Sequence, residues 1–245
     1  LTSRLPAGVA PDTAPTRAVT RELSTPEWTT ILDKAWQAGF IHVVFTGGEP
    51  TLRDDLPELI RHAEANGQVT GLLTDGLRLA DAAYLDTLLQ TGLDHLLLLC
   101  QPENPEFWLA LQNALVADIY VSVHLTLDAA TQDNAGEMLR LLAGYGVHAV
   151  SLTASGPEWN TALEGLRSLA AGLGLALVWD LPVPYSELNP VALETQSDQQ
   201  RSGAGKAWVY LEPDGDLKPA QSDPRLLGSF LREPWEALQA RLASA

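Results

Sequence analysis

Short apolar runs alternate with amphipathic stretches along most of this chain. The apolar runs lie at about 41–46, 69–74, 94–100, 118–126, 147–153 and 174–181. The amphipathic stretches between them lie at about 55–66, 80–91, 104–116, 130–145 and 158–172. Strand patterns that alternate with helical patterns are typical of βαβ units and a parallel sheet. We therefore predict an α/β fold in the form of a partial (β/α)6 barrel of the TIM type.

A helix with a defined start is predicted ahead of the first apolar run. Ser24-Thr25-Pro26-Glu27 places a capping hydroxyl before a proline and an acidic residue, which is a typical helix N-terminus. Apolar residues then recur at helical spacing up to Gly39, which can end the helix.

The pattern changes near Pro182. Residues 182–206 contain several prolines and small polar residues, and we expect an irregular segment there. A β-hairpin is predicted around Glu212-Pro213-Asp214-Gly215, followed by a helix over 231–243. The predicted organisation is a barrel over 1–181 and a small hairpin extension over 182–245.

Charge and composition exclude some classes of function. The chain has 31 acidic and 15 basic residues, a formal net charge of −16, which disfavours nucleic acid and anionic membranes as partners. No apolar run reaches the length of a membrane-spanning helix, and no leader pattern is visible. The one cysteine excludes an internal disulfide, so a cytoplasmic location is expected.

The strongest local motif follows the first apolar run: Phe45-Thr46-Gly47-Gly48-Glu49-Pro50. Two glycines allow the backbone to approach a ligand closely, and Glu49 could receive an ammonium group. Such a turn also lies at the carboxyl end of the sheet, where α/β folds bind ligands. Paired glycines are equally common in purely structural turns, so the motif alone leaves both interpretations open.

The surrounding motifs resemble the radical SAM superfamily, close to its peptide-maturase and heme-modifying branch with a SPASM-type extension. The stretch from Glu22 to Leu59 carries the glycine turn in its family context, and Leu73-Thr74-Asp75-Gly76 looks like the Thr-Asn-Gly turn of that branch. The tail Val209–Asp216 resembles the hairpin of the extension. The resemblance implies S-adenosylmethionine (SAM) beside a 4Fe–4S cluster, with Gly47, Gly48, Glu49, Pro50, Asp75 and His124 as cofactor-binding residues.

The chain departs from the family at the cluster ligands. After the lead-in Leu1-Thr2-Ser3-Arg4, the three cysteine positions are occupied by Leu5, Val9 and Asp12. A cluster of this kind needs soft thiolates, which these residues do not supply. The auxiliary-cluster positions of the extension align with Ser186, Ser202 and Ala220. Leu1 also falls where the first barrel strand would already have ended, so that strand either precedes the sequence or is absent.

Other residues are weaker candidates. Cys100 ends an apolar run and is predicted to be a buried small hydrophobe. His124 alternates with valines and either touches a ligand inside the barrel or is a hydrogen-bonded core histidine. No catalytic residue and no metal site is nominated, because the five histidines show no metal-binding spacing.

Three hypotheses follow. In the first, the protein is a pseudoenzyme without clusters that binds a ligand, a peptide substrate or an active radical SAM partner. In the second, it still binds SAM and another chain supplies the cluster. In the third, the turn survives only for structural reasons.

Overall fold

The computed structural model describes residues 1–6, 19–178, 205–221 and 223–243. The helices are α1 (Thr25–Gln37), α2 (Leu56–Asn66), α3 (Ala82–Leu89), α4 (Pro105–Leu115), α5 (Ala135–Gly144), α6 (Asn160–Gly172) and α7 (Trp235–Ala243). The strands are β1 (His42–Phe45), β2 (Val69–Thr74), β3 (His95–Leu99), β4 (Tyr120–Leu127), β5 (Ala149–Ala154), β6 (Ala176–Leu177), β7 (Tyr210–Leu211), β8 (Asp216–Lys218) and β9 (Gly228–Ser229). Short 3-10 helices span Pro50–Leu52, Leu77–Ala80 and Pro157–Trp159.

The first six strands form one sheet in the order β1-β2-β3-β4-β5-β6. The strands are parallel, with His42 opposite Val69, Leu99 opposite His124 and Val123 opposite Val150. The α/β prediction is confirmed, and so is the alternation of six strands with helices. The predicted strand and helix positions agree with the observed bounds to within a few residues, because the hydrophobic pattern follows the buried faces.

Two compact units divide the described residues. One takes its residues from Leu1–Thr74, Asp86–Asp94 and Ala204–Ala245, and the other from Asp75–Leu85 and His95–Gly203. The predicted boundary between 181 and 182 lies among residues outside the described ranges and stays a prediction. The same holds for most of the predicted irregular segment over 182–206.

Helix α1 begins as its sequence predicts. The Ser24 backbone and hydroxyl both donate to the Glu27 carboxylate, at 2.9 and 2.8 Å, and the reciprocal bond completes a capping box. The buried face of the helix consists of Trp28, Ile31, Leu32 and Ala35. Gly39, at φ +88°, follows its last turn.

The predicted hairpin near the C-terminus is confirmed as an antiparallel pair of β7 and β8, with Tyr210 opposite Lys218. A third strand, β9, pairs with β8 and was not predicted, since two residues carry too little pattern to be recognised. Helix α7 begins at Trp235 rather than at the predicted 231. Pro234 precedes it and disfavours helical geometry in the residue before it.

Aromatic packing within the first unit attaches its C-terminal residues to the loop between α1 and β1. Phe40 meets the rings of Phe230 and Trp235 edge to face, at centroid distances of 6.3 and 5.0 Å. The Lys34 ammonium lies 4.8 Å from the centre of the Phe230 ring. Within the described ranges, none of the helices is long and apolar enough to cross a lipid bilayer.

Candidate functional site

The Gly47–Pro50 turn leaves β1 and leads directly into the 3-10 helix Pro50–Leu52. The segment Leu1–Arg4 runs along it, with the Leu1 nitrogen donating to the Thr46 carbonyl at 2.6 Å. In return, the Gly48 amide donates to the Thr2 carbonyl at 2.6 Å. The Glu49 amide donates to the Arg4 carbonyl at 2.8 Å. The Gly48 and Glu49 amides of the turn are therefore satisfied within the chain.

Both glycines of the turn are required by this close approach. A Cβ atom at Gly47 would lie 2.4 Å from the Thr2 carbonyl oxygen, and the φ of +150° is itself unfavourable for other residues. A Cβ atom at Gly48 would lie 1.9 Å from the Arg4 carbonyl oxygen, which no side chain can accept. The backbone of residues 1–4 thus occupies the space that the glycines open. The prediction that Gly47 and Gly48 contact a ligand stays a prediction.

Glu49 is buried, with 3% of its surface exposed. Its Oε1 accepts hydrogen bonds from the Thr51 amide (2.9 Å), the Thr51 hydroxyl (2.7 Å) and the Thr74 hydroxyl (2.6 Å). These three bonds satisfy the buried Oε1 atom within the chain. Glu49 is therefore the N-cap of the 3-10 helix Pro50–Leu52, and its bond with Thr74 connects the turn to the end of β2. Its predicted role toward a ligand ammonium group remains untested.

Arg53 holds residues 1–4 in place, and no sequence pattern beyond its position after the turn indicates this role. Only 5% of its surface is exposed. It forms a two-pronged ion pair with Asp55 at 2.8 and 2.6 Å. Its remaining nitrogen donates to the Leu1 carbonyl (3.3 Å) and the Leu23 carbonyl (3.1 Å).

Glu22 completes this arrangement from the opposite side. One carboxylate oxygen accepts bonds from the Thr2 hydroxyl (2.7 Å), the Ser3 amide (2.8 Å) and the Ser3 hydroxyl (3.0 Å). The other oxygen lies 3.5 Å from the Arg4 guanidinium and 3.9 Å from that of Arg53. Burial alone would raise the pKa of Glu22, but these hydrogen bonds and Arg4 outweigh it and keep the pKa below its usual value. Residues 1–4 are thus held on both sides.

Asp75 follows β2 and belongs to the second unit. Its Oδ1 accepts the Leu77 amide at 3.0 Å, which forms an Asx turn ahead of the 3-10 helix Leu77–Ala80. Its carbonyl accepts a long bond, 3.4 Å, from Gln101. Gly76, at φ +78°, makes the turn after it. Asp75 has a structural role here, and its predicted contact with a cofactor is untested.

His124 lies on β4 inside a group of hydroxyl side chains. Nδ1 lies 3.0 Å from the Ser151 hydroxyl, and Nε2 lies 3.1 and 3.3 Å from those of Thr126 and Thr153. The side chain is buried, and desolvation lowers its pKa to about 4. It is therefore neutral at physiological pH. These contacts are those of a hydrogen-bonded core histidine, and the predicted contact of His124 with a cofactor stays a prediction.

Cysteine positions of the family fall partly outside the described residues. Four of the positions lie outside the described ranges: Val9, Asp12, Ser186 and Ser202. Leu5 is described; it is half-buried and directly follows the segment Leu1–Arg4. Ala220 lies just after β8. Within the described ranges, no three His, Cys, Asp or Glu side chains cluster in a way that could hold a metal ion.

Comparison with known proteins places this site in a family. A model of the radical SAM superfamily matches residues 10–107, which include the glycine turn and β1 to β3. The chain contains a radical SAM domain. The radical SAM superfamily predicted from the motifs is thereby confirmed, whereas the SPASM-type extension and the loss of the clusters stay predictions.

Relatives of this radical SAM domain include PqqA peptide cyclases. That of Streptomyces rochei is 31% identical over 227 residues, covering 81% of this chain and 60% of that protein. That of Granulibacter bethesdensis is 41% identical over 85 residues, covering 35% of this chain and 22% of that protein. The chain therefore spans less than two thirds of the length of these relatives.

Solved structures with the same fold confirm the partial barrel. The structure of anSMEcpe with bound AdoMet has a TM-score of 0.67 at 14% identity, covering 91% of this chain and 73% of that chain. Streptococcus suis SuiB bound to S-adenosylmethionine has a TM-score of 0.63 at 12% identity, covering 91% of this chain and 59% of that chain. At this level of identity the likeness concerns the fold.

Proposed function

We propose that this protein is a radical SAM homologue without its iron–sulfur clusters, which acts as a ligand-binding or partner subunit in the modification of a peptide or cofactor. One observation carries the proposal. The three cysteine positions of the family are occupied by Leu5, Val9 and Asp12, and the chain holds a single cysteine, Cys100.

The donor set of the chain does not fit a 4Fe–4S cluster. Such clusters are held by deprotonated cysteines, and neither Leu5 nor Val9 has an atom that can bind iron. Burial raises the pKa of the Cys100 thiol to about 12, so it is protonated at neutral pH and is no thiolate ligand. Since reductive cleavage of SAM draws its electron from a cluster, we assign no radical step to this chain.

A peptide is the partner that the relatives favour. Several are PqqA peptide cyclases, and one structural neighbour is SuiB bound to the precursor peptide SuiA. A chain that keeps this fold without the cluster could hold a peptide for an active partner enzyme. The cytoplasmic location stays a prediction as well.

The intact Gly47–Pro50 turn favours a second candidate, in which the protein binds SAM and another chain supplies the cluster. The internal hydrogen bonds of Gly48, Glu49 and Thr74 argue against SAM binding, because they give the turn a structural role in the fold. This supports the third candidate, a purely structural or interaction protein.

Anaerobic reconstitution with iron and sulfide tests the proposal directly. We expect no absorbance near about 400 nm and no stoichiometric iron for the natural chain, since its ligands are missing. A matched positive control restores the family's ligands in the triple variant Leu5→Cys, Val9→Cys, Asp12→Cys, which should gain both signals. A stable cluster on the natural chain would overturn the proposal.

Calorimetric titrations separate the three candidates. Heat with a synthetic PqqA peptide and none with SAM supports the partner-subunit proposal. Saturable SAM binding favours the second candidate. The absence of binding heat with either ligand favours the third. Variant Glu49→Gln serves as a control, because a SAM site at the turn loses affinity without this carboxylate whereas a distant peptide site does not.

A further inference from the structure

A cavity of about 570 Å³ lies in the second unit, apart from the Gly47–Pro50 turn. Helices α4 and α5 form its sides, together with the loops that follow β3 and β4. Its floor includes Leu125 and Met138, which are buried with 4% and 7% of their surfaces exposed. Cavities of a few hundred Å³ with mainly apolar walls are typical small-molecule sites.

One wall of the cavity is aromatic and fixed in place. The rings of Trp108 and Tyr145 stack at a centroid distance of 5.0 Å and an angle of 26°. The Trp108 indole N–H donates to the Pro102 carbonyl at 2.9 Å, which fixes the ring orientation. Leu141, with 43% of its surface exposed, lies beside this wall. The aromatic wall is therefore formed before any ligand arrives.

Two carboxylates lie at the cavity and have no basic partner in the described part of the chain. Glu103 comes from the loop after β3, and Glu137 from the first turn of α5. Both are exposed, and no lysine or arginine lines the cavity. The formal charge of −16 adds a long-range attraction for cations.

We propose that this cavity binds a small hydrophobic organic amine. Its ring or alkyl part lies over Leu125 and Met138 against the Trp108–Tyr145 wall, and its ammonium group faces Glu103 and Glu137. Aromatic faces attract cations as well, so both features favour the same charge. An anion of equal size should bind more weakly than the amine, because the two carboxylates repel it. A neutral analogue should also bind more weakly, because it makes only the apolar contacts. The inference does not depend on the function proposed above.

Glu137 also has a structural reason to be where it is. An acidic residue in the first turn of a helix is stabilised by the helix dipole, here that of α5. Glu103 lies outside a helix, in the loop just before Asn104, the N-cap of α4. The two roles differ in what they affect, since the dipole acts on folding stability and the proposed site on ligand binding.

The test compares three matched probes by calorimetry: phenethylamine, 2-phenylethanol and phenylacetate. We expect the amine to bind at least about tenfold more tightly than the alcohol, and phenylacetate to bind weakest. Equal affinities for the amine and the alcohol would contradict the proposal. So would the lack of saturable amine binding up to about 10 mM.

Variants locate the site. The double variant Glu103→Gln, Glu137→Gln should reduce amine affinity to that of the alcohol and leave alcohol binding unchanged. Glu164→Gln, an exposed glutamate on α6 away from the cavity, is the matched control and should keep wild-type affinity. Circular dichroism checks that all variants are folded. Unchanged amine binding in a folded double variant would overturn the inference.

Discussion

The hydroxyl of Thr74, the last residue of β2, donates a 2.6 Å hydrogen bond to Oε1 of Glu49 in the turn after β1. This bond joins the ends of two neighbouring strands through a buried carboxylate. Together with the two Thr51 bonds, it gives Oε1 of this glutamate three donors from within the chain. The turn is therefore a structural junction, whatever else it binds.

Gly48→Ala should be strongly destabilising. Its Cβ atom would lie 1.9 Å from the Arg4 carbonyl oxygen, so residues 1–4 would have to move away. We expect a loss of at least about 2 kcal/mol in the free energy of unfolding, measured by urea denaturation. Gly165→Ala is the control: nothing lies within 4 Å of a Cβ atom there, and alanine favours helix α6. A tolerated Gly48→Ala would show that the segment 1–4 is not held as described.

Arg53→Met should lower the free energy of unfolding by about 2 kcal/mol, because the half-buried Asp55 carboxylate loses the charged hydrogen bonds that the buried Arg53 guanidinium donates to it. Arg53→Lys should cost less, since a charge remains but the two-pronged geometry is lost. Arg21→Ala is the matched control. Arg21 also pairs with a carboxylate, that of Glu27, but at an exposed site where ion pairs contribute little. Similar losses for Arg21 and Arg53 variants would refute this role of Arg53.

Stability should fall between about pH 6.5 and pH 4 because of His124. Its pKa is about 4 in the folded protein because burial disfavours the charged imidazole, against 6.5 for an unperturbed histidine, so only the unfolded state binds a proton in this window. Above pH 6.5 this proton lowers the free energy of unfolding by nothing. Below pH 4 it lowers the free energy of unfolding by the full amount, about 3 kcal/mol. His124→Gln should flatten this part of the pH–stability curve. The exposed His148→Gln should leave it unchanged. Parallel curves for wild type and His124→Gln would contradict the prediction.

Glu64→Gln should raise stability at pH 7. Burial, followed by the nearby Asp94 carboxylate, raises the pKa of Glu64, although the Thr70 hydroxyl bond acts in the opposite direction. The folded state therefore holds a proton more tightly than the unfolded state, and stability is lost as pH rises from 4.5 through the folded pKa. Thermal denaturation at pH 4 and pH 7 measures the effect. A variant that is less stable than wild type at pH 7 would disprove it.

Much of the site could be anticipated and part of it could not. The glycine turn and Asp75 are local motifs, so their place at strand ends was predictable. The roles of Glu22 and Arg53 depend on contacts with residues 1–4, which are distant in sequence from Arg53. His124 was left open because a strand pattern does not reveal which hydroxyls face it. Ser151 and Thr153 come from the neighbouring strand.

The sequence by itself determined the superfamily and the α/β alternation, because these depend on local periodicity and residue identity. Only the tertiary structure decided that the turn glycines accommodate the chain's own backbone, and that Glu49 is held by Thr51 and Thr74. It also brought Trp108 and Tyr145 together beside Glu103 and Glu137, which have no basic partner among the described residues. Contacts between distant segments follow from packing, which no local pattern encodes.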